Sequence, residues 1–262
     1  MARLAGWIDS LLNRSERAMA APLPRLSAPE RPALIYAIGD VHGCLDALEA
    51  LEARIVADAA GTPGDKWIVM LGDYVDRGPN SAQVLDHLTA RPPAGFSRIC
   101  LRGNHDEAML AAIEDPRAIE TWIGWGIEAT LASYGLSAAQ IAGLTAPGRA
   151  AAKQQLLQAF IPDEHIAFLR NLPVMLTVPG YIFVHAGLRP GIGTGRQQDR
   201  DLMWIRREFL DTDHDFGAMV IHGHTPVEAP ELTPHRAGID TACYASGVLT
   251  ALRIDDDGVR VL

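Results

Sequence analysis

The amino-acid sequence predicts an α/β fold in which short buried strands alternate with amphipathic helices. Three features support this prediction. Short apolar runs recur along the chain. Segments with helical spacing of apolar residues lie between the first and second runs and between the second and third. Most runs are followed directly by polar residues. The runs cover residues 34–38, 67–71, 97–101, 174–178, 181–184 and 218–221.

Apolar periodicity places two helices between the first three strands. Residues 81–88 carry a helical pattern after the second apolar run. After the first run, helical spacing is shown by Leu45, Leu48, Leu51 and Ile55. Because side chains three or four residues apart share one face of a helix, this spacing predicts a helix that packs on the sheet.

The rest of the chain divides into an insert, a closing strand and an N-terminal extension. Between residues 107 and 170 the composition shifts to alanine, leucine and glutamine, which predicts a helical insert. Alternating apolar residues predict a final strand over residues 248–254. We therefore expect one domain over residues 33–262, preceded by a separate segment over residues 1–32.

The first 32 residues predict a short helix followed by an extended linker. Helical spacing is carried by Leu4, Ile8, Leu11 and Leu12. The extended linker is indicated by Pro22, Pro24, Pro29 and Pro32. Asp9, Asn13 and Arg14 interrupt the apolar core that a signal peptide needs. We expect a terminal helix or arm, with a weak membrane-surface or partner helix as the alternative.

The composition is that of a globular protein and argues against several functional classes. Of the 262 residues, 48% are hydrophobic and 21% are charged, which is enough apolar material for a core. The formal charge of −9 argues against a nucleic-acid or anionic-membrane binder, since either needs a basic surface. No apolar run approaches the ~18 residues that span a bilayer. The three cysteines, Cys44, Cys100 and Cys243, are widely spaced, so we expect reduced thiols in a cytoplasmic protein.

Aspartate, histidine and asparagine residues follow the strand candidates and form a candidate metal site. Asp40 and His42 are two residues apart at a strand end, where i and i+2 side chains project to the same side and can reach one ion. Asp73 follows the next strand, and its carboxylate can bridge two cations. Further donors are Asn104, His185 and one of His222 and His224. This mixed oxygen and nitrogen set predicts two divalent ions, with manganese favoured and iron or zinc as alternatives.

The residues beside these ligands suit phosphate-ester hydrolysis by a water that two ions activate. His105 could donate a proton to the leaving alkoxide, and Asp76 could hydrogen-bond His105 and hold it protonated. The guanidinium of Arg77 is well shaped to bind phosphoryl oxygens. Taken alone, residues 76–79 are more typical of an ordinary turn with a surface ion pair. Together with the other segments, they favour the phosphoesterase interpretation.

Five segments carry this pattern, in the order Gly39-Asp40-Val41-His42-Gly43, Gly72-Asp73-Tyr74-Val75-Asp76-Arg77-Gly78, Gly103-Asn104-His105-Asp106, His185-Ala186-Gly187 and Gly223-His224-Thr225. Together they resemble the signature of the calcineurin-like metallophosphoesterases. The resemblance is strongest to the phosphoprotein phosphatase branch, particularly its small bacterial and phage serine/threonine phosphatases, and it covers residues 34–254. It implies a sandwich of two mixed β-sheets flanked by helices, with the site at the strand ends.

The resemblance also implies a role for each matching residue. One metal would be held by Asp40, His42 and Asp73. The other would be held by Asp73, Asn104, His185 and His224, the histidine that follows the glycine, with His222 as a neighbour of the ligands. His105 would be the general acid with Asp76 as its partner, and Arg77 would bind phosphate, with Asn104 beside the substrate. The segment Trp204-Ile205-Arg206 is similar to the family's Trp-x-Arg stretch, which favours Arg206 over Arg207 as the second phosphate clamp.

Two features depart from the family pattern. The usual Asn-His-Glu ends here in Asp106, for which we expect a local structural role without loss of activity. The insert over residues 107–170 carries no motif that matches the family. Trp122 and Trp125 lie in that insert, and we expect them to pack in the core, with an aromatic wall as the alternative.

The resemblance implies phosphomonoester hydrolysis, with phosphoserine or phosphothreonine in proteins or a small phosphoester as the expected substrate. Hydrolysis of a dinucleoside polyphosphate is the first alternative. The sister branch that carries out this reaction often has glutamine where His42 stands, so the histidine disfavours it. A non-catalytic phosphoprotein-binding module is a further alternative, although no ligand or acid is missing from the segments.

Overall fold

The computed structural model describes residues 22–122, 125–146 and 148–262. The helix predicted within the first 20 residues lies outside this part of the chain. Among the described residues, no helix combines the length and apolar character needed to cross a bilayer. The described chain forms two mixed β-sheets with helices around them, which confirms the predicted fold class.

The first sheet holds the strands that lead into the candidate site. Its strands are β2 (Leu34–Ile38), β3 (Lys66–Met70), β4 (Phe96–Cys100), β10 (Ala251–Asp255) and β11 (Gly258–Val261). They lie in the order β11-β10-β2-β3-β4, and β2, β3 and β4 are parallel. Ile38 pairs with Met70, and Met70 pairs with Cys100, so these three strands end at one edge. The loops that follow them therefore lie side by side.

The second sheet brings in strands from both ends of the chain. Its strands are β1 (Arg25–Ser27), β5 (Met175–Val178), β6 (Tyr181–Val184), β7 (Met219–His222), β8 (Glu231–Leu232) and β9 (Arg236–Gly238). They lie in the order β1-β5-β6-β7-β9-β8. β1 is parallel to β5, with Leu26 opposite Leu176, so part of the predicted linker belongs to this sheet.

Helices cover the outer faces of the two sheets. Two of them follow the first two strands of the first sheet: α1 (Leu45–Asp58) and α2 (Ser81–Thr89). The segment after β4 forms α3 (Asn104–Glu114), a 3₁₀ helix (Pro116–Thr121), α4 (Ile127–Ser133), α5 (Ala138–Thr145), α6 (Ala150–Phe160) and α7 (Asp163–Asn171). Shorter helices near the second sheet are α8 (Asp199–Trp204), α9 (Arg207–Leu210) and α10 (Cys243–Ser246).

The core consists of three apolar layers separated by the sheets. β2 is fully buried, and its side chains alternate between two layers, as the period of a strand requires. Tyr36 and Ile38 face the helices α1 to α7, whereas Ile35 and Ala37 face the second sheet. On the outer face of the second sheet, Val184 and Val220 pack with Phe209. The site edge is thus held by strands that are packed on both faces.

The strands missed by the sequence pattern are the short or marginal ones. Each predicted strand lies within a few residues of an observed strand, but β1, β8, β9 and β11 were not predicted. These four have two to four residues, are exposed in part, and follow no long apolar run. Their pairing depends on sheet neighbours far along the chain, which local periodicity does not report.

Candidate active site

The candidate site lies where the carboxyl ends of strands from both sheets meet. Asp40, Asp73 and Asn104 follow β2, β3 and β4 of the first sheet, and His185 and His224 follow β6 and β7 of the second. All five side chains are buried. The two sheets bring together residues that are up to 184 positions apart, such as Asp40 and His224, whose backbone N–H donates to the Asp40 carboxylate.

Asp73 occupies the centre of the site. Its Oδ2 atom lies 3.5 Å from His42 Nε2 and 3.4 Å from His185 Nε2. Two groups of ligand atoms share this carboxylate, with all atoms in each group within 4.8 Å of one another: His42, Asp73 and His105, and Asp73, His185 and His224. An arrangement with one carboxylate common to two adjacent groups is what a bridged pair of ions requires.

The histidines present neutral nitrogens to the site. The Nδ1 atom of His42 lies 2.7 Å from Val75 O, and that of His185 lies 2.9 Å from Leu71 O. Since a carbonyl can only accept, Nδ1 carries the proton in both rings and the Nε2 lone pair faces the site, where His185 Nε2 lies 2.8 Å from the Asn104 carbonyl oxygen, a second electron-pair donor. Burial lowers the pKa of His42 and His224, and it lowers that of His185 to about 4. These imidazoles are therefore neutral at pH 7, as metal ligands must be.

Several buried polar atoms fit a bound cation. The Nε2 atoms of His42 and His224 and the Oδ2 atom of Asp240 have no hydrogen-bond partner among the described residues. Such atoms normally find a partner, because desolvation without one costs free energy. Burial, followed by the charges of Asp240 and Asp73, raises the pKa of Asp40 well above its usual range. Divalent cations would supply the missing partners and offset the repulsion between these carboxylates, so the donor set fits the two predicted ions.

Asp240 lies in the site although the sequence did not predict it, and Asp40 reaches the site by a geometry other than strand alternation. The Asp40 carboxylate accepts the His224 N–H at 3.1 Å. The i,i+2 argument does not hold here, because β2 ends at Ile38 and His42 has a φ of 44°. Asp240 was not predicted at all, since no apolar run or histidine marks it. It follows β9, is buried, and accepts the Ala242 N–H at 2.9 Å.

His105 is held between Asp76 and Arg77. Its Nδ1 atom lies 2.6 Å from Asp76 Oδ2, and Arg77 Nη2 lies 3.1 Å from its Nε2 atom. Burial lowers the pKa of His105, but the carboxylates of Asp73 and Asp76 outweigh burial, so its pKa is raised. Arg77 donates to Nε2 in this arrangement, so Nε2 can carry a proton only when Arg77 has moved away; the raised pKa then favours the protonated ring that a general acid needs at neutral pH.

Asp106 has the local structural role that the sequence suggests. Its carboxylate accepts the backbone N–H groups of Asp73, Tyr74 and Gly103 at 2.8 to 2.9 Å. It thus ties the loop after β3 to the N-terminus of α3, where a carboxylate is favoured by the helix dipole. A shorter acid than the family's glutamate is sufficient for these contacts.

The helical insert contributes directly to the site, which the sequence pattern did not indicate. The Thr130 hydroxyl donates to Asp76 Oδ1 at 2.8 Å and accepts the Asp76 N–H at 2.8 Å. Gly126 O accepts the Arg77 N–H at 3.1 Å, and a Cβ at Gly126 would collide with the Arg77 backbone. Trp122 is buried in the core, as expected, and Trp125 packs partly against the same core and also beside His105, where the aromatic-wall alternative placed it.

The two arginines lie at the rim of the site. Arg77 is partly exposed, and its guanidinium lies 4.6 Å from the centre of the Tyr244 ring. Arg206 is exposed. Desolvation lowers the pKa of Arg206, whereas the charges of Asp240, Asp73 and Asp40 oppose this change, so its charge acts on the acidic part of the site. Arg207 begins helix α9.

Left-handed backbone conformations concentrate at the predicted site residues. Among the described residues other than glycine, positive φ angles occur at His42, Asp73, Asp76, Arg77, His224 and Ala242. Each such conformation costs roughly 1–3 kcal/mol, and it persists where the surrounding contacts determine it. At His224 it also breaks the strand pattern, so His222 and His224 point in different directions. The His222 ring packs 5.0 Å from Phe209 in the core, and His224 joins the ligand atoms.

Known proteins resemble this chain in sequence and fold. The asymmetrical bis(5'-nucleosyl)-tetraphosphatase PrpE of Oceanobacillus iheyensis is 27% identical over 242 residues, which cover 84% of this chain and 88% of that protein. The symmetrical bis(5'-nucleosyl)-tetraphosphatase of Aromatoleum aromaticum is 34% identical over 158 residues, or 60% of this chain and only 45% of that protein.

Solved structures share the fold at lower identity. A protein assigned as a diadenosine tetraphosphatase has a TM-score of 0.63 at 20% identity, over 92% of this chain and 97% of its own. The cold-active protein-tyrosine phosphatase of a Shewanella species has a TM-score of 0.58 at 16% identity, over 92% of this chain and 83% of its own.

The family is identified by a match over most of the chain. The sequence profile of the Calcineurin-like phosphoesterase family matches residues 33–245, which include every residue placed in the site above. This match confirms the resemblance inferred from the five segments. The chain is therefore a metal-dependent phosphoric ester hydrolase that belongs to the calcineurin-like phosphoesterase family.

Proposed function

We propose that this chain hydrolyses bis(5'-nucleosyl) polyphosphates. The hydrolytic chemistry rests on one observation above all, namely that the Asp73 carboxylate lies between His42 on one side and His185 and His224 on the other, next to the His105–Asp76 pair. The nucleotide substrate is supported by the relatives, since proteins with this name align with 84% of the chain. His42 alone favours phosphoprotein hydrolysis over dinucleoside polyphosphate hydrolysis, and our proposal reverses that order.

The proposed ligands follow from the donors at the strand ends. Asp40, His42 and Asp73 would hold one ion, and the other would be held by Asp73, Asn104, His185 and His224. Manganese suits this mixed set, with iron and zinc as alternatives. When bound, two divalent cations acidify a water molecule and offset charge on the phosphoryl oxygens. His105 is assigned as the acid and not as a ligand, because Asp76 and Arg77 already contact its two nitrogens.

The remaining residues would position the substrate and move the proton. Arg77 would turn from His105 to a phosphoryl oxygen, which frees Nε2 of His105 to protonate the leaving oxygen. Asp76 would stabilise the charged ring before this transfer. Arg206 would bind a second phosphoryl oxygen from the exposed side of the site. The Asn104 amide would lie beside the two phosphoryl oxygens that the arginines bind.

Phosphoserine and phosphothreonine hydrolysis in proteins is the second candidate. The same ligands, acid and arginines would serve a phosphomonoester, because both substrates present non-bridging phosphoryl oxygens to the cations and arginines and a leaving oxygen to the acid. The exposed Arg206 leaves room for a macromolecular substrate at the rim.

A substrate panel tests the choice between these candidates. Purified protein would be supplied with Mn²⁺ and assayed on diadenosine tetraphosphate and on a phosphoserine peptide. We expect higher kcat/KM on diadenosine tetraphosphate, with adenosine nucleotides as products. Higher kcat/KM on the peptide would reverse the order of the candidates, and failure on both would overturn the proposed function.

A further inference from the structure

Three partly exposed aromatic side chains border the candidate site, and the proposed chemistry gives none of them a role. Trp125 lies just before α4, Trp204 ends α8, and Tyr244 lies in α10. Each retains solvent-accessible surface, and Tyr244 is 41% exposed. Partly exposed aromatic rings that cluster around a polar cleft are typical of ligand-binding surfaces.

Two of the rings, tilted by 57° to each other, form an aromatic wall on the side of the acid. The centre of the Trp125 ring lies 5.5 Å from that of His105 and 5.5 Å from that of Trp204. The Trp204 ring lies 6.4 Å from His224. Because His105 would protonate the leaving oxygen, the chemical group attached to that oxygen departs past Trp125. The wall therefore faces the leaving group.

Positive charge lies next to this wall. Arg77 contacts His105 at 3.1 Å, and its guanidinium also packs on the Tyr244 ring. Tyr244 in turn lies 5.5 Å from His42. A ligand that carries phosphates beside a flat ring system would place its phosphates at Arg77 and its ring against the face of one of the two tryptophans. A peptide with an aliphatic phosphoserine has no group that would use the wall.

We propose that Trp125 and Trp204 form a nucleobase-binding platform for the leaving-group side of a nucleotide substrate. This inference rests on the proposed function, since it assigns the base of that substrate to a place in the site. Every base has a π face that can stack on tryptophan, so the platform would not select one purine over another. Purines have the larger face, so the platform would bind purines more strongly than pyrimidines.

A binding experiment tests the platform without turnover. Isothermal titration calorimetry with Mn²⁺-loaded protein would compare AMP with ribose 5-phosphate, which has the same phosphate and sugar but no base. We expect AMP to bind about 10-fold more tightly than ribose 5-phosphate, because stacking adds to the phosphate contacts. Trp125→Leu should remove most of this difference, and Trp125→Phe should keep part of it.

The matched control is Trp67→Leu. Trp67 is also partly exposed, but it lies near the start of β3, at the opposite end of the strand from the site. Equal affinity for the two ligands in the wild-type protein, or an unchanged preference in Trp125→Leu, would overturn the platform. So would a loss of preference in Trp67→Leu as large as that in Trp125→Leu.

Turnover separates the platform from the proposed function. Protein that prefers AMP through Trp125 but does not hydrolyse diadenosine tetraphosphate would contradict the proposed function and keep the platform. Protein that hydrolyses this substrate equally well with and without Trp125 would contradict the platform alone. If Trp125→Leu instead lowers kcat/KM only on a phosphotyrosine peptide, the wall serves a tyrosine ring and the nucleobase assignment is wrong.

Discussion

The Thr130 hydroxyl and Asp76 form two hydrogen bonds with each other, one to the Asp76 side chain and one from its backbone N–H, both of 2.8 Å. Asp76 in turn contacts His105 at 2.6 Å. A residue of the helical insert therefore orients the partner of the proposed general acid. Thr130 is 54 residues from Asp76 and lies outside the five motif segments. A substitution at Thr130 therefore tests the contact without changing a motif residue.

Removing the Thr130 hydroxyl should reduce turnover more than substrate binding. Thr130→Val keeps the shape but removes the donor to Asp76 Oδ1 and leaves the Asp76 N–H with Ser81 Oγ alone, so we expect kcat to fall roughly 10-fold, with KM nearly unchanged. Thr130→Ser should restore most of the activity. Ser133→Ala is the control on the same helix, since Ser133 accepts the Ala82 N–H and does not contact Asp76. A change in KM alone would contradict a positioning role.

Replacing His105 should have an effect that depends on the leaving group. An acid is needed most when the leaving alkoxide is basic, so His105→Asn should lower kcat on an alkyl phosphate about 10²–10⁴-fold. The loss should be much smaller on p-nitrophenyl phosphate, whose leaving group departs without a proton. Equal losses on the two substrates would indicate that His105 acts in another way, such as metal binding.

Replacing the shared carboxylate should affect both proposed ions. Asp73→Asn removes the charge from the atom that lies 3.5 and 3.4 Å from His42 and His185. We expect bound manganese to fall below one ion per chain by elemental analysis, and kcat to fall by roughly several orders of magnitude. Asp86→Asn, on the exposed face of α2, is the control. Full metal content in Asp73→Asn would contradict the bridging assignment.

Asp240 offers a test that does not depend on activity. Burial is the largest cause of its raised pKa, and the charge of Asp73 adds to it, so these carboxylates repel one another in the metal-free protein. Asp240→Asn should therefore raise the Tm of the metal-free protein. It should also reduce the rise in Tm on adding Mn²⁺, since less charge remains to attract the cation. Differential scanning calorimetry with and without EDTA would measure both, and a lower metal-free Tm would contradict this account.

Glu52 lies away from the site, and its ion pairs allow us to predict how the stability of the protein depends on pH. Burial raises its pKa, but His87 at 2.7 Å and Arg98 at 2.8 Å outweigh burial, so the pKa of Glu52 is lowered in the folded protein. A lowered folded-state pKa gives stability that is present above the unfolded value of about 4.3 and is lost as pH falls through the folded value.

Glu52→Gln should therefore destabilise the protein most at neutral pH. We expect a loss of about 1–3 kcal/mol in the free energy of unfolding at pH 7, and a loss that shrinks as pH falls through the lowered folded-state pKa and the wild-type carboxylate becomes protonated. Urea titrations at several pH values would measure this difference. Glu49→Gln is the control, because Glu49 is exposed. A loss that grew toward low pH would contradict the assignment.

The sequence by itself determined the fold class and most of the site. Local periodicity was sufficient for β2, β3 and β4, because each is a five-residue strand whose register follows from burial. Asp40, Asp73 and Asn104 then had to lie together, since the carboxyl ends of parallel strands meet at one edge. Residues at the ends of well-defined strands are predictable for this reason.

Tertiary structure alone decided which further residues reach the site and where their side chains point. Thr130 and Asp240 arrive through contacts between segments that are distant along the chain, and no local pattern marks them. The direction of His224 depends on its φ of 65°, which tertiary contacts impose and which strand alternation does not predict. Backbone strain and long-range packing are properties of the whole fold, so they become visible only once both sheets and the insert are in place.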